Sequence, residues 1–342
     1  YRKILPQLNY RSKYLEEINN TRREKIKIGF ISTNFFNQSV TRDRMGVIRN
    51  ISRDIFDVVV FYYFKPSDDL GGFIWNGDNK NIILPETNIF DRRKVIEEEK
   101  LNILIFCDIG MAPDTFFLAF SRLAPVQCTT WGHSDTSGID TIDYYLSSTY
   151  YENEESNVNY TEKLVLLDSL CTYYYTPEQI THFKRNDSKS RIELDIPIDK
   201  TIYICLQSLF KLQPEFDKVF ISIIEKDPDS VIFLLNTMTR SDYSKKMFIK
   251  RITNKLKNKE HIHRFYFITK KPMRIFLEYI RNCDVMLDPH PFGGCNTSFE
   301  GFFLGKPIVT MPSNFINGRF TYGLYKKMGI SNLIAHTYEE YI

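Results

Sequence analysis

Three stretches of the chain gather side chains that can hold a phosphorylated ligand or transform one, and a fourth adds polar groups. The clearest is Asp284-Val-Met-Leu-Asp-Pro-His-Pro-Phe-Gly-Gly-Cys-Asn-Thr-Ser-Phe-Glu300. Its apolar run, Val285–Leu287, ends in Asp288, a Pro-x-Pro turn follows, and Gly293-Gly294 leads into a helix near Asn296 and Thr297. Paired glycines let backbone approach a ligand, and a helix start offers N–H groups and the positive end of its dipole. Asn296 or Thr297 can cap that helix or donate to a phosphate oxygen, and Glu300, about one turn in, can accept from a ribose diol. A capping box, with Thr297 capping and Glu300 reaching back, would use the same residues for structure alone.

The second stretch is Tyr203-Ile-Cys-Leu-Gln-Ser-Leu-Phe-Lys211. A strand ending near Leu206 would place Gln207, Ser208 and Lys211 at its exit. There a lysine can neutralise a diphosphate, and Gln207 or Ser208 can bond a nucleobase or phosphate; a solvated lysine opening the next helix is the structural alternative. The third is Val126-Gln-Cys-Thr-Thr-Trp-Gly-His-Ser-Asp-Thr-Ser-Gly138. His133 can act as a general base or orient a sugar hydroxyl, and Asp135 is a second base candidate. A hydroxyl-rich turn carrying a surface histidine reads equally from these residues. The fourth, Ile31 to Met45, follows a strand and opens a helix but lacks Gly-x-Gly-x-x-Gly, which disfavours a dinucleotide-dependent dehydrogenase. Its Arg42, Asp43 and Arg44 suit a polar acceptor or a solvated helix start. No histidine or carboxylate spacing suggests a metal site.

All four stretches follow apolar, β-branched runs. Strands are expected at Ile26–Ser32, Asp57–Phe64, Asn81–Leu84, Ile103–Cys107, Val126–Thr130, Ile142–Leu146 and Leu164–Leu167, alternating with helix-length segments such as Arg42–Asp54, Asp91–Lys100 and Asp114–Arg122. Residues 168–200 have the composition of a linker. Alternation then resumes through strands Ile202–Cys205, Val231–Leu235, Arg264–Ile268, Val285–Leu287 and Pro307–Met311, with helices between them. That is the pattern of two parallel-sheet domains in tandem. The expected organisation is a helical leader over 1–24, an N-terminal domain over 25–180 and a C-terminal domain over 195–342. Ligands in such sheets sit beyond the carboxyl ends of strands, so an interdomain cleft is the expected location of the site.

Composition narrows the function. Dividing 342 residues by about 150 per domain favours two domains. The formal charge, 45 − 42 = +3, gives no field that would recruit nucleic acid or an anionic membrane. Six cysteines without a Cys-x-x-Cys pair, most in apolar runs, favour a reduced, cytoplasmic protein, despite Asn-x-Ser/Thr triplets at Asn50, Asn159 and Asn186. No apolar run reaches membrane-spanning length. The chain opens at Tyr1 and stops at Ile342 inside an acidic, helix-like stretch, and so reads as a fragment; no tetratricopeptide repeat is visible.

Taken together and in this order, Ala124-Pro-Val-Gln-x-x-x-Trp-Gly-His-x-x-Thr-Ser-Gly138, Gln-Ser-Leu-Phe-Lys211 and Gly-Gly-Cys-Asn-Thr-Ser-Phe-Glu-x-x-x-x-Gly-Lys-Pro-Ile-Val-Thr310 resemble glycosyltransferase family 41. That group holds the O-linked N-acetylglucosamine transferases, the SPINDLY-type O-fucosyltransferases and the bacterial cytoplasmic N-glucosyltransferases. The resemblance covers roughly residues 25–342. It implies a GT-B fold, two Rossmann-like doubly wound domains facing a cleft. It also implies metal-independent, inverting transfer from a nucleotide-diphosphate sugar, UDP-N-acetylglucosamine by this reading, to a polypeptide Ser/Thr, with no bound cofactor. Lys211 falls on the lysine that stabilises the leaving diphosphate, Asn296 and Thr297 on the diphosphate-binding helix start, and Glu300 on a ribose-binding acid; Gln207, Ser208 and Gly294 join them as donor-binding candidates from their own positions. Gly132, His133 and Ser134 fall on the loop lining the donor sugar, and Gln38 on a histidine of the first-strand loop. His133-Ser134 replaces the Tyr-Pro of the animal enzymes and is more like the N-glucosyltransferases; Cys295 replaces a histidine. The alternatives are a GT-B enzyme acting on a glycan or small molecule, and an inactive nucleotide-sugar- or protein-binding module.

Overall fold

A computed structural model of the chain describes residues 1, 3–16, 24–180, 183–184, 188–236 and 241–342. Asn186 lies outside them, as do parts of the expected leader and linker. The chain divides into two compact units, Tyr1–Tyr175 and Thr176–Ile342.

The first unit runs β1 (Tyr10–Arg11), β2 (Ile26–Ser32), α1 (Ser39–Asn50), β3 (Phe56–Tyr62), α2 (Asp69–Trp75), β4 (Lys80–Ile83), α3 (Ile89–Glu98), β5 (Ile103–Phe106), α4 (Pro113–Ala119), β6 (Ser121–Arg122), β7 (Val126–Thr130), β8 (Tyr144–Ser148) and β9 (Lys163–Leu167). Seven of these strands form one parallel sheet in the order β4-β3-β2-β5-β7-β8-β9. Strands such as Val58–Tyr62 are buried residue after residue, as a sheet covered on both faces requires.

The second unit runs α5 (Pro177–Ile180), β10 (Thr201–Ser208), α6 (Asp217–Lys226), β11 (Ser230–Leu235), α7 (Ser241–Lys255), β12 (Phe265–Ile268), α8 (Met273–Asn282), β13 (Val285–Leu287), α9 (Asn296–Phe303), β14 (Ile308–Val309), α10 (Phe320–Met328) and α11 (Tyr338–Tyr341). Its five parallel strands are ordered β12-β11-β10-β13-β14. Apolar layers cover both faces, one built on Phe216, Phe220 and Phe248, the other on Ile204, Leu277 and Ile280. Two Rossmann-like halves are the composition of the GT-B class expected from the sequence.

In both sheets the chain winds outward from one strand and then reverses. The reversal lies between β2 and β5 in the first unit and between β10 and β13 in the second. Diverging crossovers leave a crevice at the carboxyl ends of such a strand pair, where doubly wound folds bind ligands.

The helical leader is corrected. Among its described residues the chain forms two short 3-10 turns, Pro6–Leu8 and Lys13–Glu16, and β1, which runs parallel to β6. Specific anchors outweigh helix propensity here: the Tyr10 and Ser12 hydroxyls both donate to Glu97, each at 2.5 Å, and the buried Tyr14 hydroxyl donates to the Leu101 and Leu123 carbonyls. Lys211 closes a 3-10 turn (Leu209–Lys211) just beyond β10 and six residues before α6, so the alternative of a lysine opening that helix is not the geometry adopted.

Gly46, inside α1, is retained against helix propensity because the Tyr173 backbone crosses it. A Cβ there would overlap the Tyr173 carbonyl oxygen and lie 2.8 Å from the Tyr173 Cβ. Replacing a helical glycine with alanine ordinarily gains roughly 0.5–1 kcal/mol; Gly46→Ala is expected instead to destabilise by about 1–3 kcal/mol, the cost of overpacking. A raised denaturant midpoint for this variant would show that Tyr173 yields at no cost.

Candidate functional site

In the second unit the reversal of winding collects most of the residues singled out from sequence. β10 extends to Ser208, so Gln207 and Ser208 are its last residues, with an irregularity between Cys205 and Ser208 where the strand leaves its partner. From β13, Asp288 follows Leu287 and the chain turns through Gly293 and Gly294 into α9. Gln207 Nε2 lies 3.4 Å from Thr297 Oγ1, and a Cβ on Gly294 would lie 3.2 Å from Gln207 Nε2. Gln207, Gly294 and Thr297 thus touch across the two strand exits. Thr297 is the second residue of α9, whose N-cap, Cys295, supplies no side-chain capping bond. The capping-box alternative is therefore not the geometry adopted. Asn296 and Thr297 are half-buried at the helix start, whereas Glu300 is buried at 1% exposure.

Lys211 places its Nζ 3.9 Å from the centre of the Phe292 ring. Burial pushes its ammonium below the usual lysine range, with Cys295 pulling the other way. Among the described residues no carboxylate lies within ion-pair distance of it. A desolvated cation beside a helix start is electrostatically matched to an anionic ligand.

The turn that presents α9 depends on Asp288, which sequence reading used only to mark a strand end. Its Oδ1 accepts from the Gly294 N–H at 2.6 Å and its Oδ2 from the Thr310 hydroxyl at 2.7 Å. Burial pushes this carboxyl up to about 6, against the downward pull of those donors.

The first unit holds the other predicted residues at the exits of β2, β5 and β7. Gly132 packs directly on the Cys107 carbonyl, and a Cβ on Gly110 (φ +99°) would overlap the His133 ring. Both glycines are thus required by close approach, and together they lay His133 along the exit of β5. The loop's far end is tied down by Glu162, which accepts from the Thr136 hydroxyl at 2.6 Å and the Ser137 N–H at 2.8 Å. Between these anchors His133 Nε2 lies 3.7 Å from Asp135 Oδ2. Gln38 caps α1, its side-chain oxygen accepting from the Val40 N–H at 2.9 Å.

Two buried groups of this unit were missed from sequence. Asp108, fully buried two residues beyond β5, accepts at Oδ2 from the hydroxyls of Ser32 and Thr33, the Thr33 N–H and the Asn34 amide. Its signal was visible as a carboxylate directly after an apolar run. Arg44 left no comparable signal, since the solvated helix start weighed for Arg42–Arg44 fits the same letters. The structure buries Arg44 and stacks its guanidinium 4.2 Å over Trp131, the residue preceding Gly132.

Among the described residues no group of three or more His, Cys, Asp or Glu side chains is placed to hold a metal ion, and no helix is long and apolar enough to cross a membrane. None of the six cysteines forms a disulfide.

Comparison with known proteins agrees with the motifs. Residues 176–342 match the model of glycosyl transferase family 41. The chain is 23% identical to the probable UDP-N-acetylglucosamine–peptide N-acetylglucosaminyltransferase SEC of Arabidopsis thaliana, over 93% of this chain and 32% of that one. It is 27% identical to the UDP-glucose:protein N-beta-glucosyltransferase of Actinobacillus pleuropneumoniae, over 73% of this chain and 38% of that one. The chain therefore spans about a third of the length of these curated relatives. A mutant O-GlcNAc transferase of Thermobaculum terrenum has the same fold, with a TM-score of 0.80 at 21% identity, covering 93% of this chain and 58% of that structure. Residues 176–342 thus match glycosyltransferase family 41 by motif and by family model, and the chain as a whole shares its fold with an O-GlcNAc transferase.

Proposed function

We propose that the chain transfers a sugar from a uridine-diphosphate donor to a hydroxyl of a polypeptide Ser or Thr, with inversion and without a metal, in a reducing, cytoplasmic-type compartment. The observation that carries this reading is the cluster at the β10 and β13 exits, where Gln207, Gly294 and Thr297 meet beside Lys211. In this reading the diphosphate lies on the start of α9. As the acceptor oxygen bonds to the anomeric carbon from one face, the bond to the diphosphate oxygen breaks on the other. Lys211 and the helix start take up the negative charge that develops, which is the part a metal would otherwise play. The acceptor proton passes to His133 or Asp135. N-acetylglucosamine is the proposed sugar; His133 and the N-beta-glucosyltransferase relative favour glucose as the second reading.

A panel of UDP, UDP-N-acetylglucosamine, UDP-glucose and GDP, each with and without EDTA, tests the donor reading by thermal shift. At about 100 times its dissociation constant a ligand stabilises by about 2.7 kcal/mol. A shift with UDP compounds that survives EDTA is expected; no shift, or one abolished by EDTA, overturns a metal-free UDP-sugar site. The sugar is then named by which conjugate labels a peptide, with mass spectrometry locating the label.

Lys211→Ala is expected to lower kcat on the order of 10²–10³-fold, the cost of removing one preorganised charge-stabilising donor. Unchanged turnover would remove Lys211 from the mechanism.

Asp288 makes stability depend on pH. Its carboxyl, near 3.8 when unfolded and about 6 when folded, binds its proton more tightly in the native state. Its contribution is therefore fully present below pH about 4 and is lost as pH rises through about 6. Asp288→Asn should flatten this part of the profile of denaturation midpoint against pH between 4 and 7. An unchanged slope would show that the group does not titrate there.

A further inference from the structure

One surface of the second unit is far more basic than the chain as a whole. Between Ser241 and Arg274 eleven lysines and arginines stand against two acidic residues, Asp242 and Glu260, a local charge of 11 − 2 = +9. The rest of the chain therefore sums to 3 − 9 = −6. Neighbouring carboxylates cancel only part of this excess. From α6, Asp217 is shared by Arg251 and Lys255, and Glu225 lies 3.2 Å from Lys257, while Glu260 lies 3.6 Å from His263. Lys246 and Lys250 are exposed and form no ion pair among the described residues. Lys245 reaches over the Phe267 ring of β12 at 4.7 Å, so α7 adjoins that strand, and the exposed Lys270 and Lys271 follow just beyond its end.

The helix is held with its basic side outward. Phe248, Ile252 and Leu256, one turn apart, are buried in the core, and Arg251 and Lys255 both grip the buried Asp217. On the opposite side Tyr243 and Met247 are 67% and 50% exposed, in a row beside Lys246 and Lys250. Each of these pairs is four residues apart, about 6 Å along the axis. The result is a fixed ridge of alternating cationic and apolar side chains.

We infer that this face of α7 docks an acidic stretch of the polypeptide acceptor, one in which carboxylates alternate with apolar side chains. Charge complementarity selects an anion, and the apolar row selects a polypeptide. Residues on one side of an extended peptide recur about every 6.6–6.8 Å, near the spacing of Lys246 and Lys250. Its apolar side chains also give Tyr243 and Met247 partners, which a phosphate backbone does not offer Met247. A membrane surface takes up the apolar face of a helix, and that face of α7 is already spent on the core. The ridge lies on the β12 side of the sheet, two strands from the β10 exit, and so outside the cluster of Gln207, Gly294 and Thr297. The role in acceptor choice rests on the polypeptide-acceptor reading above; the affinity for an acidic peptide does not.

The test separates the two. A fluorescent peptide that repeats Glu-Leu-Glu-Ser is titrated with the whole chain, without donor, and followed by anisotropy at low and at high salt. Binding is expected at low salt, weakening as salt rises, with the Gln-Leu-Gln-Ser and Glu-Ser-Glu-Ser versions binding several-fold more weakly. Lys246→Gln combined with Lys250→Gln should keep the melting temperature and lower the affinity about 2–30-fold, the size of two exposed ion pairs. The same change at Lys3 and Lys94, exposed in the first unit, should leave it unaltered. No binding, equal binding of either altered peptide, or an equal loss in the Lys3 and Lys94 variant overturns the site. So does displacement by saturating UDP, or tighter binding of duplex DNA or of phosphatidylserine–phosphatidylcholine vesicles. In transfer assays, appending the acidic repeat to a substrate peptide should lower its KM several-fold in the wild type but not in the Lys246 and Lys250 variant, with kcat unchanged in both. The same KM with and without the repeat overturns the acceptor role. If no peptide is a substrate, the proposed function fails, while the anisotropy comparison still decides the docking face.

Discussion

A buried carboxylate at the end of a strand is the constraint on which each half of this protein depends. In the second unit Asp288 takes the Gly294 N–H and the Thr310 hydroxyl, and its own carbonyl accepts from the Tyr341 hydroxyl at 2.9 Å. One residue thereby ties together β13, the segment following β14, the closing helix α11 and the turn into α9. In the first unit Asp108 gathers the Ser32–Asn34 loop onto the exit of β5. Both aspartates stand where the winding of their sheet reverses, between its first and fourth strands. The crevice opened by that reversal is floored by backbone that would otherwise be free to move. An internal anion with several donors fixes it without occupying the ligand's space.

Much of this architecture was legible because parallel sheets announce themselves. Strands buried on both faces tend to be apolar along their length, and β5, β11 and β13 are such runs, found within a residue or two of their ends. The leader was misread because its order comes from distant partners. Glu97 and the Leu101 and Leu123 carbonyls lie about 85 to 110 residues away from Tyr10, Ser12 and Tyr14, and no local pattern announces them. The small β1–β6 pair escaped notice for the same reason. Two-residue strands have no periodicity to detect.

The candidate site was legible in proportion to how much of it is punctuation. Gly293-Gly294 and the residues at the end of β10 could be singled out because glycines and polar groups closing an apolar run stand out in the sequence. Asp288 and Asp108 stood in equally visible places, yet their roles depend on which amides and hydroxyls the turn brings round, and that is tertiary information. Arg44 is the hardest case. Its neighbours Arg42 and Asp43 read as an ordinary charged helix start, whereas the guanidinium is buried against Trp131. It braces the start of the His133 loop from below, while Glu162 secures the far end.

Electrostatically, the second unit places a partly desolvated cation at one strand exit although the net charge of the chain is only +3. Surface lysines are numerous, but many are neutralised locally, as Lys255 and Arg251 are by Asp217. In water such charges act weakly beyond a Debye length of about 8–10 Å. Lys211 is different in kind. Its ammonium is partly desolvated over the Phe292 ring and, among the described residues, faces no carboxylate, so its field is less screened than that of an exposed lysine. The same desolvation that lowers its pKa strengthens its attraction for any anion that reaches it. The backbone dipoles at the start of α9 add to that attraction without requiring a second buried side-chain cation. Specific charge placement, not overall basicity, sets the electrostatics of this strand exit.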